Sequence, residues 1–146
     1  MKVQVSFLLL NRYNDFPVEE VSEHLNLLPS SIKRREALYP SCATDFIGFT
    51  TWKYTSDYKN VRNINELLLP LVQKLQDNLD GIVYLKSKHK LRTELIIQVD
   101  CSEIITNFSL DPRVCQFLAE TYTHIKFDFA APAFENVMEE ELYLLN

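Results

Sequence analysis

Val3, Val5, Phe7 and Leu9 alternate with Gln4 and Ser6, the two-residue period of a strand with one covered face. Asp15-Phe16-Pro17 then opens a helix, because proline in a first turn gives up an N–H that has no partner there. Glu19 and Glu20 sit in that turn, where the helix dipole favours negative charge. Val18, Val21, Leu25 and Leu28 recur at three- and four-residue spacing until Pro29 ends the element. Residues 30–45 read as a long polar connection. The stretch 47–58 is the next strand, with Thr50, Trp52 and Tyr54 on one side and Phe49, Thr51 and Lys53 on the other.

Asn63 with Glu66 three residues later resembles a capping box, and Ile64, Leu67, Leu68, Leu71, Val72, Leu75 and Leu79 form a wide apolar stripe behind it. Pro70 predicts a kink or split near residue 69, and Gly81 predicts a C-cap. The segments 82–85 and 91–99 look like paired strands joined by Lys86-Ser87-Lys88-His89-Lys90. Within the second, Leu91, Thr93, Leu95, Ile97 and Val99 face the core. Ser109 or Asp111 caps a third helix, with Pro112 in its first turn and Val114, Phe117 and Leu118 inward. Ile125, Phe127 and Phe129 mark a last strand.

The predicted order is β-α-β-α-β-β-α-β. Strands with one polar face and helices with one apolar face predict an α+β fold. It is a two-layer sandwich with a largely antiparallel sheet and helices on one face. A faint repeat, strand to Phe-Pro to helix, raises the option of two ferredoxin-like halves. Residues 1–130 form the domain and 131–146 a tail.

Charge sharpens that division. The tail holds Glu135, Glu139, Glu140 and Glu141 and no basic residue, so removing those four from the −5 of the whole chain leaves −1 on residues 1–130. A nearly neutral body argues against broad nucleic-acid binding. Met138, Leu142 and Leu145 fall at i, i+4 and i+7, the spacing of a short amphipathic helix. Glu139, Glu140, Glu141, Leu142 and Leu145 are therefore candidate partner contacts, and the tail or an open strand edge is also a route to a homodimer.

Only two glycines, Gly48 and Gly81, occur in 146 residues, and they lie far apart. This removes the dinucleotide fingerprint, the phosphate-cradling loop, the nucleophile elbow and the calcium loop, each of which needs glycine where backbone approaches a ligand. Cys42, Cys101 and Cys115 are an odd number without a C-x-x-C, which fits free thiols in a reducing cytoplasm, with Cys115 in the core. The apolar run at residues 7–10 is too short for a signal-peptide core, and no stretch approaches the ~20 residues of a membrane span.

Few constellations carry chemistry. Glu20 and His24 share one helix face, but no third ligand accompanies them, so neither metal nor cofactor is predicted. Lys33-Arg34-Arg35 ahead of Trp52 is the best contact candidate, able to hold a phosphate or carboxylate through guanidinium forks; a solvated charge run is the plainer reading. Lys86, Lys88, Lys90 and Arg92 form a second basic strip, of the kind that blocks edge-to-edge sheet pairing. The outward residues Gln4, Ser6, Arg92, Glu94, Gln98, Asp100, Lys126 and Asp128 are mixed in sign and hold no aromatic pair for stacking RNA bases.

The two ends of the domain carry a family pattern. Phe16-Pro17-Val18-Glu19-Glu20-Val21 runs on to Leu25-Asn26-Leu27-Leu28-Pro29-Ser30, Trp52 follows the basic loop, and Ser109-Leu110-Asp111-Pro112 leads to Ile125-Lys126-Phe127-Asp128-Phe129. The chain resembles the bacterial domain-of-unknown-function family 4279 over roughly residues 3–130. That family shares an F-x-P-E-E-[IV] opening, L-G-[IL]-x-P-[ST], a central tryptophan and a closing "I-x-I-D" strand. Asn26 stands where the family commonly has glycine, and Arg35-Glu36-Ala37 replaces a glycine-containing loop. The resemblance implies the α+β fold and no catalytic residue. With no nucleophile pair, metal set or phosphate loop, the sequence points to a non-enzymatic cytoplasmic module that binds another protein, immunity-like or regulatory. The alternative is a small-molecule anion binder or enzyme with its site between Lys33–Arg35 and Trp52.

Overall fold

The computed structural model describes residues 1–39, 42–47, 49–102 and 108–130. The elements are β1 (Lys2–Asn11), α1 (Val18–Leu25), β2 (Ser31–Lys33), β3 (Glu36–Tyr39), β4 (Cys42–Ile47), β5 (Thr50–Thr55) and β6 (Lys59–Asn60). They continue with α2 (Asn65–Gln76), α3 (Leu79–His89), β7 (Arg92–Asp100), α4 (Pro112–Thr121) and β8 (His124–Ala130). The main sheet has the order β2-β5-β1-β7-β8, and β6 pairs with β1 at Lys2 and Val3. All its neighbours are antiparallel except β7 and β8, which α4 joins as a parallel crossover. A separate hairpin, β3-β4, stands off this sheet. The chain is thus an α+β sandwich. The internal echo seen in the sequence extends to strand direction: β1 and β2, which α1 joins, are each antiparallel to the β5 between them and so run parallel, as β7 and β8 do across α4.

The predicted alternation of β1 holds: Val3, Val5, Phe7 and Leu9 are fully buried and meet Trp52, Leu95, Ile97 and Val99 in one core with the helices. Against them pack Val18 and Val21 of α1, Leu68 and Leu75 of α2, Ile82 and Leu85 of α3, and Val114 and Phe117 of α4. The four helices therefore share one face of the sheet. Phe7 and Phe117 meet with ring centroids 6.1 Å apart, tying the central strand to α4.

Four local expectations are corrected by tertiary structure. The strand predicted at 82–85 is the middle of α3. Its β-branched and aromatic residues read as strand, but Ile82 and Leu85 are buried three apart while Val83 and Tyr84 are about half exposed, a helical division. Gly81 accordingly lies inside α3 and is no C-cap; a Cβ there would stand 3.1 Å from the His24 carbonyl oxygen, so it permits close approach of α1. The predicted polar connection at 30–45 contains β2, β3 and β4. Of the kink or split predicted near residue 69, the split does not occur: α2 runs through Pro70 to Gln76, with Leu67, Leu68, Leu71 and Val72 holding the turns around it on the core.

Helix ends follow simpler rules. Asp111 caps α4 as predicted, accepting from the Arg113 N–H at 2.9 Å. Asn63 accepts from the Asn65 N–H at 2.9 Å, so it satisfies one donor at the start of α2. α1 stops at Leu25 because Asn26 takes the left-handed conformation (φ 49°), which leaves Leu28 exposed instead of on the buried stripe. Asn tolerates that conformation, which explains how it stands where the family commonly has glycine. Cys115, predicted in the core, lies on the exposed side of α4.

Two stability outcomes follow. Trp52→Ala is expected to cost about 3–5 kcal/mol, since a fully buried indole leaves a large cavity. Tyr122, at the end of α4, has φ 51° and is 84% exposed, so Tyr122→Gly is expected to gain about 1 kcal/mol. Urea denaturation with an unchanged slope checks both.

Candidate functional site

Among the described residues no helix covers the second face of the sheet, and strand register determines which side chains share it. One row runs Lys33–Thr51–Leu10–Arg92 across β2, β5, β1 and β7. The next is Ser31–Lys53–Leu8–Glu94–His124, followed by Thr55–Ser6–Ile96–Lys126 and Gln4–Gln98–Asp128. Leu8 and Leu10 are only 8% and 6% exposed, flanked by long polar chains whose aliphatic stems suit such cover.

Glu94 is the centre of this face and is only 4% exposed. A carboxylate there is tolerable only with cationic partners. Lys126 Nζ lies 3.0 Å and Arg92 Nε 2.9 Å from the same oxygen, Oε1. The buried Arg92 Nε–H is not aligned on that oxygen, so this contact acts through charge and not as a hydrogen bond. The result is a carboxylate held by two cations, while Lys53 on β5 and Lys33 on β2 lie farther across the same face, beyond β1.

The structure separates the residues predicted to form one anion site. Lys33 lies on the open face, but Trp52 is fully buried on the opposite one, its indole N–H donating to Ser22 Oγ at 3.0 Å. Arg34 turns toward α1, bonding Asp15 at 2.9 Å and Glu19 at 3.2 Å. The Arg35 backbone N–H donates to Thr50 Oγ1, whose hydroxyl donates to Asp15 Oδ1 at 2.6 Å. Lys33 and Trp52 therefore lie on opposite faces of the sheet, while Arg34, on the helix side with Trp52, is engaged by the carboxylates of Asp15 and Glu19.

The predicted basic strip is divided as well. With 82–89 helical, Lys86 reaches the last carbonyls of α4, Thr121 and Tyr122, where burial lowers its pKa. Lys88 bonds Glu20 at 2.8 Å. Only Lys90 and Arg92 stay together. Glu20 and His24 do approach, at 3.9 Å, yet Glu20 is engaged by Lys88 and by His89 Nε2 at 3.0 Å, and among the described residues no His/Cys/Asp/Glu group suited to a metal forms. The tail candidates Glu139, Glu140, Glu141, Leu142 and Leu145 lie outside the described residues.

Arg12 and Tyr13 were not singled out from the sequence. They line a shallow depression of about 240 Å³ with Leu10, Asn11, Lys90 and Arg92 at one end of the open face. The available signal was periodicity: Arg12 is the next outward position after Leu8 and Leu10.

The loop before α1 has a checkable pH response. The Thr50 hydroxyl, and then the Arg34 charge, hold the Asp15 carboxyl below its usual range. A depressed folded-state pKa gives stability that is present at neutral pH and lost as pH falls through the folded value. Asp15→Asn is therefore expected to be less stable than wild type at pH 7, with the difference closing in acid. Thermal unfolding from pH 7 to pH 2 checks this.

Comparison with known proteins completes the picture. Two proteins named "Probable methyltransferase EP424R" from African swine fever virus align with this chain over 92 residues. The Pig/Kenya/KEN-50/1950 isolate is 30% identical and the Badajoz 1971 Vero-adapted strain 29%. Each alignment covers 61% of this chain but 22% of the viral protein, so the chain spans a minor part of those relatives. No solved structure matches. Residues 1–131 match the family described as Domain of unknown function (DUF4279), and with nearly the whole domain covered, the chain belongs to that family.

Proposed function

We propose that this domain is a non-catalytic protein-binding module whose open sheet face docks on a partner with a predominantly acidic contact surface. The observation that carries this reading is the organisation of that face: Arg92 and Lys126 hold a buried Glu94, Lys53 and Lys33 stand on the same face across Leu8 and Leu10, and Asp128 follows on the row beyond Lys126. Basic side chains favour an acidic surface and speed its encounter. The interleaved Glu94 and Asp128 suit a protein, which presents charges of both signs, better than a continuous polyphosphate.

The viral relatives support a separable role. Their aligned segment is 22% of a longer chain named as a probable methyltransferase, a proportion suited to an accessory binding portion of such a protein. A reducing, cytoplasmic setting fits the free thiols of Cys101 and Cys115. No described helix is long and apolar enough to cross a membrane.

The test is affinity capture with the wild-type chain and with a Lys33→Glu/Lys53→Glu variant, which leaves the partners of Glu94 in place. A protein held by wild type and weakened at least about tenfold by the charge reversals is the expected result. Capture of none across low and moderate salt, or equal retention by both, overturns the reading.

A further inference from the structure

We propose that the depression at the end of β1 and the start of β7 is a phosphate-binding subsite, which takes a phosphorylated side chain of the partner. The phosphate site stands on its own geometry; only its protein carrier rests on the protein-binding reading.

The depression, about 240 Å³, is lined by Leu10, Asn11, Arg12, Tyr13, Lys90 and Arg92. Three basic residues from two separate chain segments line it, and no carboxylate does. Elsewhere on the face acids interleave with bases; at this end they do not. A phosphate monoester carries nearly two negative charges and three acceptor oxygens, which match guanidinium and ammonium donors better than one carboxylate does.

The two segments are locked together in advance by one buried side chain. Asn11 is 6% exposed. Its Nδ2 donates to the His89 carbonyl at 3.0 Å and the Lys90 carbonyl at 3.5 Å. Its Oδ1 accepts from the backbone N–H groups of Tyr13 at 2.8 Å and Asn14 at 2.9 Å. Asn11 thereby joins the turn carrying Arg12 and Tyr13 to the turn carrying Lys90. It also occupies carbonyls at the end of α3 that would otherwise oppose an anion. Ordering of the loops before the ligand arrives reduces the entropy lost on binding.

Each cation is also held. Arg12 lies over the Phe49 ring, 5.4 Å from its centroid. Arg92 rests against Glu94, whose charge Lys126 shares. Lys90 has φ 53°, a conformation glycine would adopt without cost, yet a long cationic side chain stands there beside the depression.

The test is a titration of the full chain with inorganic phosphate, read by NMR at the amides of Arg12, Tyr13, Lys90, Leu91 and Arg92. Saturable shifts confined to these amides are expected. Arg12→Ala and Lys90→Gly should each weaken binding about tenfold, the usual loss for a charged hydrogen bond. Both positions are exposed, and glycine accepts the backbone at 90, so each variant keeps the fold. Lys74→Ala on α2 removes the same charge elsewhere and should leave binding unchanged. Scattered shifts, or equal weakening by Lys74→Ala, overturn the site. A second arm compares a phosphoserine peptide, its unphosphorylated twin and a single-stranded oligonucleotide. At least about tenfold preference for the phosphopeptide over both supports the assigned carrier. No preference, or tighter binding of the oligonucleotide, overturns that carrier while the phosphate result decides the site. Failure to capture a partner with intact phosphate binding would instead count against the protein-binding reading alone.

Discussion

The fold depends on β1 being paired along both edges and buried on both faces. On one edge it bonds β5 and β6, on the other β7, so the main sheet is assembled around it. Its helix-side residues, Val3 to Leu9, anchor the core, while Ser6, Leu8 and Leu10 are nearly as buried on the other face. A strand in that position cannot slip register, because a one-residue shift would carry Phe7 and Leu9 out of the core and Ser6 into it. Everything placed on the open face inherits its position from this register, including the alignment of Glu94 with Leu8 and of Arg92 with Leu10.

Charge is divided between the two layers. On the helix side the ionic groups satisfy one another: Arg34 with Asp15 and Glu19, Lys88 and His89 with Glu20, and Lys86 with the end of α4. Such contacts position elements, and where exposed they add little stability. On the sheet side Arg92 and Lys126 share one buried glutamate, and at the end of the strands three basic residues line a depression without an acid. A net charge of −1 for residues 1–130 thus conceals a basic face, and the average was a poor guide to what the surface can attract.

The legible parts of the sequence were those governed by local periodicity. The alternation in β1, β5 and β7, the Asp111-Pro112 start of α4 and the apolar stripe of α2 each needed only neighbouring residues. The segment 82–89 was misread because a run of Ile-Val-Tyr-Leu has strand propensity; contact with α1 through Gly81 and burial of Ile82 and Leu85 overrode it. That single change dispersed the lysine strip and left Lys90 beside Arg92. Lys33–Arg35 and Trp52 are kept apart for a different reason. Ile32, not Lys33, lies opposite Trp52, and Arg34, which does turn to the helix side, meets Asp15 and Glu19 there.

By itself, the sequence determined the layer architecture, the identity of most core residues and the absence of glycine-dependent phosphate loops, since each follows from composition or from periods of two and 3.6 residues. Tertiary structure alone decided which cations are neutralised and which share a depression. Arg34 and Lys88 meet acids from distant segments, whereas Arg12, Lys90 and Arg92 line one depression because buried Asn11 joins turns that lie 78 residues apart in sequence. Coulombic partnership is a matter of distance in space, and no local pattern encodes it.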